Sequence, residues 1–432
     1  MTAGAVAVVA ALVFAWAVVS AALARRNVTG PLVFATAGYL LANPDWGPVA
    51  IDVDTTSVHL LAEVTLALVL FSDAARVNVQ ELRADVALPV RLLGIGLPLS
   101  ILVGAVAAGL LFDLPWALAA FVGATLAPTD AALSVQVIND ERIPMRLRRS
   151  LNVESGLNDG IVTPIVSITL AIAASQLGAV SESASFEFGV ALRELAIGAA
   201  VGALVGVGGA FVLNVASRHG WIAPGARMLA ALALATSALA ATLALDGNGF
   251  IAAFVAGIAF GAAADRQAID VDQVNQVTEL SGELLALVVW FLFGATLVPI
   301  GVGHLGAGVV VYALLSLTVV RMVPVALAMA GTRLDGPTTV FLAWFGPRGL
   351  ASVVFALLAI EELGEGDEAV GLAIGAVALT VALSVLLHGI TAGPGGRRYV
   401  QMERDAAATG PRGRHVRLMG HAGSQSSGTP LV

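Results

Sequence analysis

The chain has no cysteine and no lysine, and charged residues make up only 12% of its 432 positions. Without cysteine, disulfides, thiolate metal sites and cysteine nucleophiles are excluded. Without lysine, every strongly basic side chain is an arginine. A soluble globular chain carries about 25% charged residues. Half that content, beside 58% hydrophobic residues, excludes an ordinary soluble domain. Period-two alternation is also missing, which excludes a membrane β-barrel. What is present is a series of long apolar runs from end to end, so the fold class is an all-α polytopic membrane protein. The net charge of −8 says little about partners.

A helix needs about 20 apolar residues to cross about 30 Å of hydrocarbon. The runs predict about thirteen transmembrane helices, near 5–24, 29–43, 57–78, 87–112, 115–138, 149–175, 188–217, 222–245, 248–264, 278–300, 305–331, 337–361 and 367–391. The first, Val6 to Leu23, is preceded by no Lys or Arg and followed by Arg25-Arg26. That order is expected of a retained helix, although Ala22-Leu23-Ala24 resembles a cleavage site.

Loop charges alternate along the chain, the loop 265–277, with Arg266 and several Asp, being the one weak member. Arg25, Arg26, Arg76, Arg83, Arg91, Arg142, Arg146, Arg148, Arg149, Arg218, Arg227 and Arg333 fall to one side. Asp45, Asp52, Asp54, Asp113, Glu182, Glu187, Asp246, Glu361, Glu362, Glu365, Asp367 and Glu368 fall to the other. The positive-inside rule then predicts a multi-pass protein of the cytoplasmic membrane, with its N-terminus outside and its C-terminus cytoplasmic. Residues 1–393 form the expected membrane domain, and 394–432, rich in Gly, Arg and Ser, an expected disordered cytoplasmic tail.

Ionisable residues inside apolar runs cost roughly 2.5–3.5 kcal/mol each on insertion scales and are functional candidates by default. They concentrate between Leu126 and Pro164. The fifth run carries Pro128-Thr129-Asp130, and Pro should break or kink its helix. The twelfth carries Gly346-Pro347-Arg348-Gly349. Paired interrupted helices in the two halves of a chain point to a midplane binding site between repeats. In the sixth run, Ser155, Asn158 and Asp159 are i, i+3 and i+4, so they share a face. Glu154 and Asn158 are also i, i+4 and can hydrogen-bond. That face offers only oxygen ligands, which suit hard cations such as Na⁺ and Li⁺.

Other residues leave alternatives open. Asp73 is either a further site acid or a helix-end group paired with Arg76. Arg321 and Arg348 are both candidates to balance Glu154, and Arg348 could instead cap a half-helix. Glu279 and Glu283 read as helix-end solvation or as an entrance funnel. His388 reads as helix-end packing.

With these residues in place, the chain resembles the monovalent cation:proton antiporter family, in its NhaP-like sodium/proton exchanger branch. The carrying motifs are Phe71-Ser72-Asp73-Ala74, Pro128-Thr129-Asp130, Glu154-Ser155-Gly156-Leu157-Asn158-Asp159-Gly160, Gly247-Asn248-Gly249-Phe250, Phe293-Gly294, Gly346-Pro347-Arg348-Gly349 and His388-Gly389. The resemblance implies inverted repeats, broken helices 5 and 12 crossing at the midplane, and core and dimer subdomains interleaved in sequence. It implies Na⁺ and proton binding at Asp159, Asp130, Ser155 and Thr129, with Asp73 beside them. It also implies a structural ion bridge from Glu154 to a membrane arginine, Arg321 before Arg348, with Asn158 supporting Glu154. Relatives often have Pro after the Thr-Asp pair; Ala131 here implies a milder break. Many carry Glu at the position of Asp73.

The expected activity is exchange of Na⁺ (or Li⁺) for H⁺, serving pH homeostasis, by competition at the carboxylate of Asp159. A proton and a cation cannot both neutralise it. Electrogenic relatives place a second Asp where Asn158 stands and use a membrane Lys, so this chain is expected to be electroneutral. The alternatives are K⁺/H⁺ exchange, a channel and, from another class, an intramembrane aspartyl protease with Asp130 and Asp159 as its dyad. No enzyme activity, cofactor or nucleic-acid partner is expected; the expected partners are the lipid bilayer and a second copy of the chain.

Overall fold

The computed structural model describes residues 3–43, 46–49, 55–77, 87–179, 184–364 and 366–409. Among the described residues every regular element is helical, in thirteen segments that follow the thirteen apolar runs. They are α1 (Ala3–Ala24), α2 (Gly30–Leu41), α3 (Thr55–Arg76), α4 (Ala87–Phe112), α5, α6 (Met145–Gln176), α7 (Ala184–Arg218), α8 (Pro224–Leu243), α9 (Gly249–Ala263), α10 (Val271–Gly303), α11 (Ala307–Met329), α12 and α13 (Glu368–Thr409). Two are interrupted. α5 divides into α5a (Trp116–Thr125) and a tight turn plus helix, α5b (Ala131–Ser134, then Val135–Ile138). α12 divides into α12a (Gly336–Trp344) and α12b (Leu350–Leu363).

Among the described residues, eight helices are long and apolar enough to cross a membrane, and α2, α5a and α9 are shorter apolar helices. Burial sorts them by depth. Only 6% of the α1 span and 22% of the α7 span are buried, against 56% of α6 and 61% of α13. The apolar outer helices are therefore built for a lipid solvent, and the polar residues sit on the inner ones.

Two local devices bring helices close. α10 carries a wide π-type turn over Phe293–Leu297. A Cβ on Gly294 within it would strike the carbonyl of Ala35, which is how α2 lies directly against α10. α11 kinks at Thr318, where Ala307–Leu317 meets Val319–Met329, and this kink re-aims the turn that carries Arg321.

α4–α6 and α11–α13 are corresponding triplets, each with an interrupted central helix. α5a packs on α4 and α6, α11 packs on α4 and α13, and α12b packs on α13. α3, α7, α8, α9 and α10 pack with one another beside them. The last helix differs from the sequence reading. It runs through Pro394 to Thr409, so residues 394–409 are helical where a disordered tail was expected. Residues 410–432 lie outside the described residues, as do Asp45, Asp52, Asp54, Arg83, Glu182 and Glu365 of the loop-charge pattern.

Candidate ion-binding site

The site grows from the two helix breaks. α5a ends at Thr125, and residues 126–130 are non-helical, with Pro128 supplying no N–H to continue the ladder. The break is complete, so Ala131 after Asp130 does not soften it as the resemblance implied. In α12 the helix stops at Trp344 and resumes at Leu350.

The breaks touch at Asp130. Its N–H donates to the carbonyl of Pro347 at 2.9 Å. Its Oδ1 accepts from the N–H of Ala132 at 2.8 Å and its Oδ2 from the N–H of Leu350 at 3.2 Å. One carboxylate therefore caps the starts of both α5b and α12b, where two helix dipoles present their positive ends. The opposite pole is met by Arg348. Its Nη1 donates to the carbonyl of Ala127 at 2.8 Å, just past the end of α5a, and its Nη2 to the carbonyl of Ser316 at 3.0 Å.

Each member of Gly346-Pro347-Arg348-Gly349 thus has a separate task. A Cβ on Gly349 would overlap the Asp130 carboxylate, and one on Gly346 would lie 2.6 Å from Nε of Arg321. Both glycines are there for close approach to a charged side chain.

Arg321 resolves the choice left open by the sequence. Its Nη1 and Nη2 donate to Oε1 and Oε2 of Glu154 at 2.6 and 2.9 Å. Arg348 makes no such pair and serves as the cap.

The polar face of α6 looks into the crossing. Asn158, fully buried, donates through Nδ2 to Oγ1 of Thr129 at 2.8 Å and to its carbonyl at 3.3 Å. Thr129 Oγ1 lies 3.1 Å from Oγ of Ser155. Asn158 was expected to support Glu154; its amide is committed to Thr129 instead, and its Oδ1 is buried without a hydrogen-bond partner. Asp159 follows on the same face. Asp73 of α3 comes alongside α6 at Gly156, where an added Cβ would sit 3.7 Å from that of Asp73. Asp130 adjoins Thr129 and Asp159 adjoins Asn158 in the chain, so both acids stand beside the Asn158–Thr129 bond. Thr129, Ser155, Asn158, Asp130, Asp159 and Asp73 are thus gathered at one crossing. Among the described residues no three His, Asp or Glu side chains converge to hold a metal ion.

Other candidates fall outside this group. Arg76 donates through both Nη atoms to Glu279 on α10, so its hydrogen bonds do not go to Asp73. Glu283, one turn on, is exposed. His388 packs at the end of α12a, with Nε2 2.9 Å from the carbonyl of Trp344 and Nδ1 3.2 Å from Oγ of Ser384. Sequence reasoning, weighing ionisable groups, missed Asn275 and gave Asn248 no role beyond its place in a motif of the resemblance. Asn275 donates to Oγ and the carbonyl of Ser72 at 2.8 and 2.9 Å, fixing the turn before Asp73. Asn248 caps α9 and reaches Oγ of Ser167 on α6 at 2.9 Å. Asn248 opens the ninth apolar run, whereas Asn275 falls just before the tenth and carried no such signal.

Residues 8–395 match the family described as sodium/hydrogen exchanger, transmembrane. The chain belongs to this family. As an exchanger-family protein it is similar to the K⁺/H⁺ antiporter NhaP of Alkalimonas amylolytica, with 26% identity over 329 residues, covering 76% of this chain and 55% of that protein. It is also 26% identical over 237 residues to the K⁺/H⁺ antiporter NhaP2 of Shewanella oneidensis, covering 55% of this chain and 40% of the relative. The chain thus spans about half the length of the curated relatives it matches. Its fold is that of the sodium proton antiporter MjNhaP1 from Methanocaldococcus jannaschii, with a TM-score of 0.72 over 92% of this chain and 98% of that one, at 18% identity.

Proposed function

We propose that this exchanger-family chain carries Na⁺ (or Li⁺) across the cytoplasmic membrane in exchange for H⁺, one for one, at Asp159. The observation that carries this reading is the position of Asp159. It lies on the continuous helix α6 one turn after Ser155, whose Oγ is 3.1 Å from Oγ1 of Thr129 at the break in α5, and next to Asn158, which is bonded to the same threonine. A carboxylate withdrawn from water needs a counter-charge. A proton or a cation can supply it, but not both at once. Only the neutralised site crosses the low-dielectric barrier, which couples the two fluxes.

Asp130 plays a different part in this account. Both of its oxygens accept backbone N–H groups, so it steadies the break and contributes field, while Asp159, Thr129, Ser155 and Asp73 offer ligand oxygens. The same commitment argues against a protease, whose two acids would have to share a proton. Arg321 and Glu154 cancel each other's charge within the site's support. Asn158 adds none, in keeping with electroneutral exchange. Alternating access follows if α4–α6 and α11–α13 rock against the remaining helices. The bare outer faces of α1 and α7 suit lipid and, as the resemblance implies, a second copy of the chain.

K⁺/H⁺ exchange is the second reading, favoured by the names of the curated relatives. Oxygen ligands alone do not set ion size.

The test is proton movement in proteoliposomes driven by Na⁺, Li⁺ or K⁺, with membrane potential clamped and then free. Exchange insensitive to potential and lost in Asp159→Asn is the expected result. Its ion identifies the cargo. Exchange that generates a potential under matched gradients contradicts the stoichiometry, and exchange that survives Asp159→Asn contradicts the site.

A further inference from the structure

The Arg76–Glu279 pair stands beside the ion site without a part in the exchange proposed above. Arg76 lies at i+3 from Asp73 on α3, so the two share a helix face. Its guanidinium is held by both oxygens of Glu279 on α10. Its Nε lies 3.8 Å from Asp272, whose side chain is 79% exposed. Arg76 and Glu279 keep 34% and 30% of their side chains exposed. Glu283 follows Glu279 by one turn on α10 and shares its face. An arginine is always charged and fits a carboxylate with two parallel bonds. Seated on Asp73, it would occupy the acid as permanently as a bound ion.

We infer that Glu279 is a positioning residue that holds Arg76 away from Asp73, keeping a tethered cation from competing with the transported one. The inference rests on Asp73 being part of the proposed exchange site. Two-point attachment fixes the direction of the guanidinium, turning it from its own helix toward α10. Without Glu279, the carboxylates left around it are Asp272, Glu283 and Asp73. Asp272 is well solvated and holds an ion pair weakly. Glu283 is exposed as well, so Asp73 is the most enclosed of the three and the strongest attractor.

A simple tie between α3 and α10 and a device that sequesters a competing cation predict different mutant patterns. Glu279→Gln and Arg76→Gln both break the pair, but only the first leaves a free cation near Asp73. The full chain in proteoliposomes is assayed for the KM of the cation that the wild type exchanges. Glu279→Gln is expected to raise KM by about fivefold, with maximal rate within about twofold of wild type. Arg76→Gln and the double variant are expected to stay within about twofold of the wild-type KM. Equal rises in both single variants, or no rise in Glu279→Gln, would overturn the inference. If Glu279→Gln does not fold, Glu279→Ala carries the same test. A raised KM restored by adding Arg76→Gln supports sequestration; an unchanged KM overturns it. Exchange that survives Asp159→Asn defeats the site reading itself, a failure separable from the KM pattern.

Discussion

Arg321 and Glu154 face each other across 167 residues of chain as a bidentate pair, with 2% and 1% of their side chains exposed. The pair joins α11 to α6 and so locks the second triplet of helices to the first. Removing one partner from a buried pair strands the other charge, at a cost of about 3–5 kcal/mol. Glu154→Gln and Arg321→Gln should each lower the thermal unfolding midpoint in detergent. The double variant should lose less than the sum of the two. Two singles that melt like wild type would show that the pair does not hold the triplets together.

Arg348 satisfies two carbonyls from different helices, Ala127 and Ser316, with one planar fork. Lysine keeps the charge but not the fork. Arg348→Lys should therefore strand one carbonyl and lose about 1.5–3 kcal/mol, the worth of a hydrogen bond to a charged group. Thermal unfolding checks this, and a Lys variant as stable as wild type would contradict the assigned role.

Gly349→Ala tests the contact between the two breaks. The added methyl would fall on the Asp130 carboxylate and displace it from the N–H of Leu350. One cap is worth roughly 0.5–2 kcal/mol, so folding should survive while cation-driven proton exchange is largely lost. Gly189→Ala on α7 is the control, because a Cβ there meets nothing within 4 Å. Wild-type exchange in Gly349→Ala would mean that the crossing tolerates more slack than its geometry implies.

Asn158→Asp separates the amide from the charge. The amide donates to both oxygens of Thr129, and a carboxylate has no N–H to replace it. The variant should therefore fail to become a two-proton exchanger by gaining an acid alone. Reduced exchange, still insensitive to membrane potential, is the expected outcome in the potential-free assay. Vigorous exchange that generates a potential would show that Asn158 alone sets the stoichiometry.

How much of this was legible beforehand depends on the range of each interaction. Apolar length is a local property, so the thirteen segments and both interruptions could be read directly from the chain. The end of α13 could not, because hydropathy fades near residue 391 while the helix continues. Its continuation is held by Tyr399, whose ring packs 4.4 Å from that of Phe341 and whose hydroxyl lies 3.0 Å from that of Thr338. The candidate ligands were readable because a membrane interior makes every acid conspicuous. Their partners were not. Arg321 and Arg348 look alike as single arginines in apolar runs, and only the Thr318 kink and the α5–α12 crossing tell them apart. The i, i+4 spacing of Glu154 and Asn158 suggested a local bond, and a tertiary partner, Thr129, took the amide instead.

The central claim is that one carboxylate, Asp159, takes either a proton or the cation. The most direct test is proton release on cation binding, measured with a pH dye in weakly buffered, detergent-solubilised protein at several pH values. The account predicts about one proton released per cation bound in the pH range where exchange is active, and none in Asp159→Asn. Saturable cation binding that releases no proton in that range would contradict it.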